Sequence, residues 1–238
     1  MSARNAKQAI RERMWASLEE EGVALPPFPI RKRIPNFVGA EKAAQSLWRL
    51  DRFRQAKIVK VNPDSPQRPV RELCLKSGKI LIMPTPRIRE GFLLIEPHKL
   101  SASMHHAAST IRGAFLNGEK VDPESLPRVD LVVAGSVAVS RRGARVGKGE
   151  GYSEIEYAVL RMLGKVSDDT PIITTVHPLQ IVEEIPVEDF DVPIDVIVSV
   201  NEIFQTHTSI PRPTGIIWSV LPERKLREIP ILRRLMRT

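Results

Sequence analysis

The chain has 238 residues, 42% hydrophobic and 27% charged, which is enough for one sizeable α/β core or two small ones. A single cysteine, Cys74, excludes an intrachain disulfide; no apolar run reaches the ~18–20 residues of a membrane span, and the charged opening "MSARNAKQAIRERMW" lacks the apolar centre of a signal peptide, so a cytoplasmic protein is expected. Lysine and arginine number 36 against 28 acids, a net charge of +8, which favours anionic partners, while an aromatic content of 5% with no interleaved basic stripe argues against nucleic acid.

Along the chain, residues 5–21 predict a helix with Ala9, Ile10, Met14, Trp15 and Leu18 as a rough apolar stripe, stopped at Gly22. "LPPFPIRKRIPNF" follows, and its prolines predict an extended connector. Residues 39–56 read as a second helix, "KIVKVNP" as a strand, residues 66–77 as a helix, "KILIMP" and "GFLLIEP" as extended pieces, and residues 101–116 as helical. The most apolar strand signal is "VDLVVAGSVAVS", read as one buried strand. After a glycine-rich stretch, a helix over "SEIEYAVLRMLG" precedes strands at "TPIITTVH" and "IDVIVSV", and the tail holds a last helix or a docking strap. Strand–helix alternation of this kind predicts a mostly parallel sheet with helices on both faces. With no internal repeat or low-complexity linker, one domain over residues 1–238 is expected, with a basic extension at about 222–238 whose charges form a solvated face.

The stretch "RRGARVGKGEGYSEIEY" places Gly147, Gly149 and Gly151 at alternate positions, led by Arg145 and split by Lys148. Between a buried strand and a helix, bare backbone lets amides turn toward an anion, and a helix N-terminus adds its dipole. The spacing is neither the dinucleotide G-x-G-x-x-G nor the P-loop G-x-x-x-x-G-K-[ST]. Two readings stay open on spacing alone: a phosphate cradle, or a glycine-rich turn with surface charges. His105 and His106 are adjacent and would point about 100° apart on a helix, a poor arrangement for one metal ion.

"RVGKGEGYSE" resembles the R-x-G-x-G-x-G-Y-x-[DE] signature of 5-formyltetrahydrofolate cyclo-ligases, also called methenyltetrahydrofolate synthetases. Gly147, Gly149, Gly151 and Tyr152 match, and Glu154 stands where the family has aspartate. Lys7 and Arg11 repeat the family's K-x-x-x-R spacing, and Pro186, Glu188, Asp191 and Asp195 resemble its late acidic segment. "IPNFVGA", "KVNPD" and "RPTGIIWS" are similar to the methenyltetrahydrofolate synthetase domain-containing branch. The resemblance implies a three-layer α/β/α fold related to sugar-phosphate isomerases and coenzyme A transferases. It further implies ATP- and Mg²⁺-dependent closure of 5-formyltetrahydrofolate, or a related pterin, to 5,10-methenyltetrahydrofolate with release of ADP and phosphate.

By the same resemblance, Lys148 and Arg145 act on the transferring phosphoryl group. Lys7, Arg11, Gly147, Gly149, Glu150, Gly151 and Tyr152 contact ATP or pterin. Glu154 holds the magnesium, and Asp64, counted back from "SGK", falls near a ring-contacting glutamate. Lys7 and Arg11, four apart on one face of a charged helix and largely off its apolar stripe, are expected to act on the phosphates and to be dispensable for stability; they read otherwise as a solvated surface pair. Glu154 reads otherwise as a first-turn acid favoured by the helix dipole. The family's paired tyrosines become Tyr152-Ser153 and its His-Asp pair becomes Phe190-Asp191. Those departures keep open a non-catalytic nucleotide- or pterin-binding regulator. A monomer or weak homodimer is expected.

Overall fold

A computed structural model describes residues 2–237. Its centre is an eight-stranded sheet in the order Ile203–Gln205, Val196–Ser199, Ile172–Val176, Leu131–Ala134, Ile58–Val61, Ile80–Pro84, Phe92–Ile95, Glu119–Val121. The five strands from Val196–Ser199 to Ile80–Pro84 run parallel, and the outer strands on both sides are antiparallel. Period-two alternation sends Val132 and Ala134 to one face, with the helix Tyr152–Met162. Leu131 and Val133 go to the other face, with the helix Arg68–Lys76. The result is a three-layer α/β/α arrangement, as the alternation of strands and helices predicts.

The helix Ala3–Glu20 does not cover the main sheet. Met14, Trp15 and Leu18 bury against Val137, Ala138, Ala144 and Val146 of a small second sheet, which pairs Ala138–Ser140 with Arg145–Val146 and Ile181–Val182. The proline-rich connector is pinned beside it, with Trp15 Nε1 donating to the Arg33 carbonyl at 3.0 Å.

Three sequence expectations need correction. "VDLVVAGSVAVS" is not one strand. It leaves the main sheet at Ala134 and joins the small sheet at Ala138, because side chains take the carbonyls that a ladder would have used. Arg145 donates to Gly135 O at 2.9 Å, and Gln180 donates to Ser136 O at 2.9 Å and Val137 O at 3.1 Å. Residues 39–56 form Ala40–Ser46, a short 3-10 turn and Asp51–Gln55, since Leu50 is extended at φ −96°, ψ 122°. The basic tail is not a solvated face throughout. Ile229, Ile231 and Leu232 are buried in the main core, and Lys225 is 3% exposed. The edge strands Glu119–Val121 and Ile203–Gln205 carry no apolar run and were missed.

Candidate functional site

A cavity of about 1120 Å³ opens where the strands' C-terminal ends meet the glycine stretch, the position at which open α/β sheets take ligands. Its lining includes every residue to which the sequence assigned a ligand: Lys7, Arg11, Asp64, Arg145, Gly147, Lys148, Gly149, Glu150, Gly151, Tyr152 and Glu154. Single ligand sites span roughly 300–1,000 Å³, so this volume has room for two small molecules together.

The glycine stretch does not follow directly from a main-sheet strand. It follows the return strand of a hairpin, Arg145–Val146, and ends on Gly151 as the left-handed cap of the helix Tyr152–Met162. Gly149 and Gly151 have φ of 94° and 73°, a left-handed backbone that disfavours ordinary side chains at both positions. Two arginines hold this backbone. Arg11 Nε donates to the Gly147 carbonyl at 2.7 Å, and a Cβ at Gly149 would lie 3.2 Å from the Arg11 guanidinium carbon. Arg145 lies beneath Gly147, paired with Glu154, and its Nε is buried without a hydrogen-bond partner. Burial pushes the Arg11 guanidinium below its ordinary value, against the pull of Glu154 and Asp191.

Lys148 reaches Glu150 at 3.3 Å and Asp64 at 3.5 Å. Burial works to lower its ammonium, but these two carboxylates outweigh it and the pKa is raised, so the side chain stays charged. Asp64 is set by Arg71, a buried residue that donates to the carbonyls of Asn62, Asp64 and Ser109 and whose pKa burial lowers to about 10. Lys7 is no surface residue. It is 5% exposed, with Nζ 2.7 Å from Glu188 and 2.5 Å from Asp191, and thereby ties the first helix to the late acidic segment. Arg11 is 8% exposed. The expectation that both are solvated and dispensable for stability is therefore overturned. Asp195, the last acid of that segment, serves the fold instead, accepting from Ile172 N and Arg212.

Tyr152 is also enclosed. Its hydroxyl donates to Glu228 at 2.5 Å, and the Lys225 ammonium lies 2.9 Å from its ring centroid. Burial and then Glu228 push the phenol up to about 12. Beneath the cavity, Lys60 Nζ reaches Glu156 at 2.6 Å and Asn62 at 3.0 Å. Burial raises the Glu156 carboxyl, against the pull of Lys60. Glu156 falls within the helix over "SEIEYAVLRMLG", whose pattern does not mark it as buried. A lysine inside an otherwise apolar strand, "KIVKVNP", was the available signal that a buried acid faces it.

Among the described residues, no three or more His, Cys, Asp or Glu side chains gather as a metal cage. Magnesium shared with phosphates needs only one or two carboxylates. Glu154, beside the glycine backbone, fits that requirement, and such a cation would share it with Arg145.

Residues 3–200 match the model of the 5-formyltetrahydrofolate cyclo-ligase family. The fold is that of the 5,10-methenyltetrahydrofolate synthetase of Aquifex aeolicus, with a TM-score of 0.52 over 85% of this chain and 94% of that one at 22% identity. A methenyltetrahydrofolate synthase domain-containing protein of Mus musculus is 43% identical over 97% of the chain, and one of Homo sapiens is 40% identical over 97%. The chain spans about three fifths of the length of those relatives, 63% and 61%. It belongs to the 5-formyltetrahydrofolate cyclo-ligase family.

Proposed function

We propose that the protein uses ATP to close 5-formyltetrahydrofolate, or a related pterin, to 5,10-methenyltetrahydrofolate, releasing ADP and phosphate. One observation carries the reading: a bare glycine backbone, clamped by Arg11 and underlain by Arg145, faces a cavity large enough for two small molecules. In the reaction, the formyl oxygen attacks the γ-phosphorus, ADP leaves, N10 closes on the activated carbon and phosphate departs. No protein nucleophile is needed, so catalysis rests on positioning and on neutralising charge.

The geometry supports the following roles. Amides of Gly147–Gly151, Arg11 and Lys148 bind the phosphates, and Arg145 holds the loop in shape while its charge faces the same anion. Magnesium supplies further neutralisation when bound, with Glu154 as its carboxylate. Asp64, held by Arg71, orients the pterin. A second reading, nucleotide binding without turnover, draws on Lys7, whose charge two carboxylates already take up. Incubation with Mg-ATP and 5-formyltetrahydrofolate separates the two. Growth of the methenyl product absorbance is expected. ATP binding with no product under any condition supports the regulator.

A further inference from the structure

The walls of the cavity do not all come from the matched family region, residues 3–200. Ile216, Ile217 and Leu221 form an apolar flank, and the following helix, Glu223–Glu228, brings Lys225 onto the face of Tyr152. Lys225 is 3% exposed, and its Nζ is buried with no hydrogen-bond partner. Glu228, one turn further on, is used by the Tyr152 hydroxyl, and Glu150 and Glu228 lie near without bonding the amine. Arg224 and Arg87 add like charge nearby. A buried ammonium left unbonded at the edge of an open cavity is costly unless a ligand completes it.

We propose that Lys225 binds an anionic carboxylate of the organic substrate, so that the segment beyond residue 200 forms the substrate-recognition wall of this cavity. The substrate class rests on the function proposed above. The phosphate-binding cations, Arg11, Lys148 and Arg145, stand at the glycine backbone, whereas Lys225 stands beside an apolar flank and an aromatic ring. A flat heterocyclic ligand carrying a carboxylate has both parts of that chemistry, and a reduced folate carries it on its glutamyl tail. Burial first, then Arg224, lowers the Lys225 ammonium to about 8, and a bound carboxylate would oppose that lowering.

The test compares wild type, Lys225→Met and Lys225→Arg for equilibrium binding of 5-formyltetrahydrofolate, of its tetrahydropteroyl amide counterpart without carboxylates, and of ATP. Thermal melting checks that each variant is folded. Loss of one charge-assisted bond should weaken 5-formyltetrahydrofolate by about tenfold to a hundredfold in Lys225→Met. Partial recovery is expected in Lys225→Arg, with the amide and ATP unchanged. In turnover the same loss appears in KM rather than kcat. A Lys225→Met variant that binds 5-formyltetrahydrofolate as wild type does, or that loses ATP instead, overturns the assignment. Wild type that binds the folate with the expected Lys225 dependence but never turns it over leaves the assignment standing and overturns only the reaction. Wild type that binds neither folate compound overturns both.

Discussion

Valine at Gly149 tests the glycine backbone most directly. The residue sits at φ 94°, and its new Cβ would meet the Arg11 guanidinium at 3.2 Å from Cζ and 3.4 Å from both Nε and one terminal nitrogen. Holding a non-glycine residue there costs about 1–3 kcal/mol. Pushing Arg11 off the Gly147 carbonyl forfeits a charge-assisted bond worth about 1.5–3 kcal/mol. The sum, about 2.5–6 kcal/mol, is a large part of a typical stability of ~5–15 kcal/mol, and a folded majority remains wherever the wild-type stability exceeds that loss. Mg-ATP affinity should fall about tenfold to a hundredfold, since each ~1.4 kcal/mol is tenfold. The control is Gly151→Ala, at φ 73° with nothing within 4 Å of the added Cβ, which carries backbone strain without the collision. Calorimetric titration with Mg-ATP and urea unfolding of both variants separate the two effects. Gly149→Val that is folded and binds ATP normally removes this backbone from the nucleotide site. Equal affinity losses in both variants show that strain, not room beside Arg11, is responsible.

Lys7→Met should lower stability by about 3–5 kcal/mol in urea unfolding, because it strands Glu188 and Asp191 without their buried partner; a change under ~1 kcal/mol would mean that the pair is not formed. Glu154→Gln should raise the magnesium concentration needed for half-maximal turnover far more than it weakens metal-free ATP binding, and Glu154→Asp should keep much of the activity; normal turnover of Glu154→Gln at limiting magnesium refutes the metal role. Lys225 gives a pH signature. Its folded pKa, about 8, lies below the ordinary 10.5, so between those values the unfolded chain binds more protons and wild-type stability rises with pH. The stability advantage of Lys225→Met should therefore be largest below pH 8 and shrink toward pH 10.5; an advantage independent of pH would show that the amine is not perturbed.

The parallel sheet was legible because its strands are continuous apolar runs separated by helical periods, as at "TPIITTVH" and "IDVIVSV". The break in "VDLVVAGSVAVS" was not, because it depends on Arg145 and Gln180 reaching back to carbonyls some ten and forty-four residues away, which no local pattern records. The site followed a similar divide. Gly147, Gly149, Gly151 and Tyr152 announced themselves by spacing and resemblance, and all line the cavity. Lys7 and Arg11 were found but misjudged as surface, since Lys7 is met by a segment that arrives near residue 190 and Arg11 by the glycine backbone at residue 147. Lys225 was hidden in a run of charges, where composition cannot tell the one lysine that turns inward from arginines that stay in water.

The bonds between the first helix and the late segment have a consequence for the chain as it is being synthesised. Lys7 meets Glu188 and Asp191 across 181 and 184 residues, and Arg11 meets Gly147 across 136. At ~5–20 residues per second, translation from residue 7 to residue 188 takes roughly 10–35 s. Throughout that interval an 18-residue helix carrying Met14, Trp15 and Leu18 has none of the small sheet's strands to pack on until residues 138–146 emerge, and no acidic partner for Lys7 until later still. In proteins most of a helix's stability comes from packing of its apolar face rather than from the helix alone. This helix, made before every strand it packs on, is therefore among the last of the described elements to dock, and its apolar face stands uncovered while the phosphate-binding backbone waits for Arg11 to close on it.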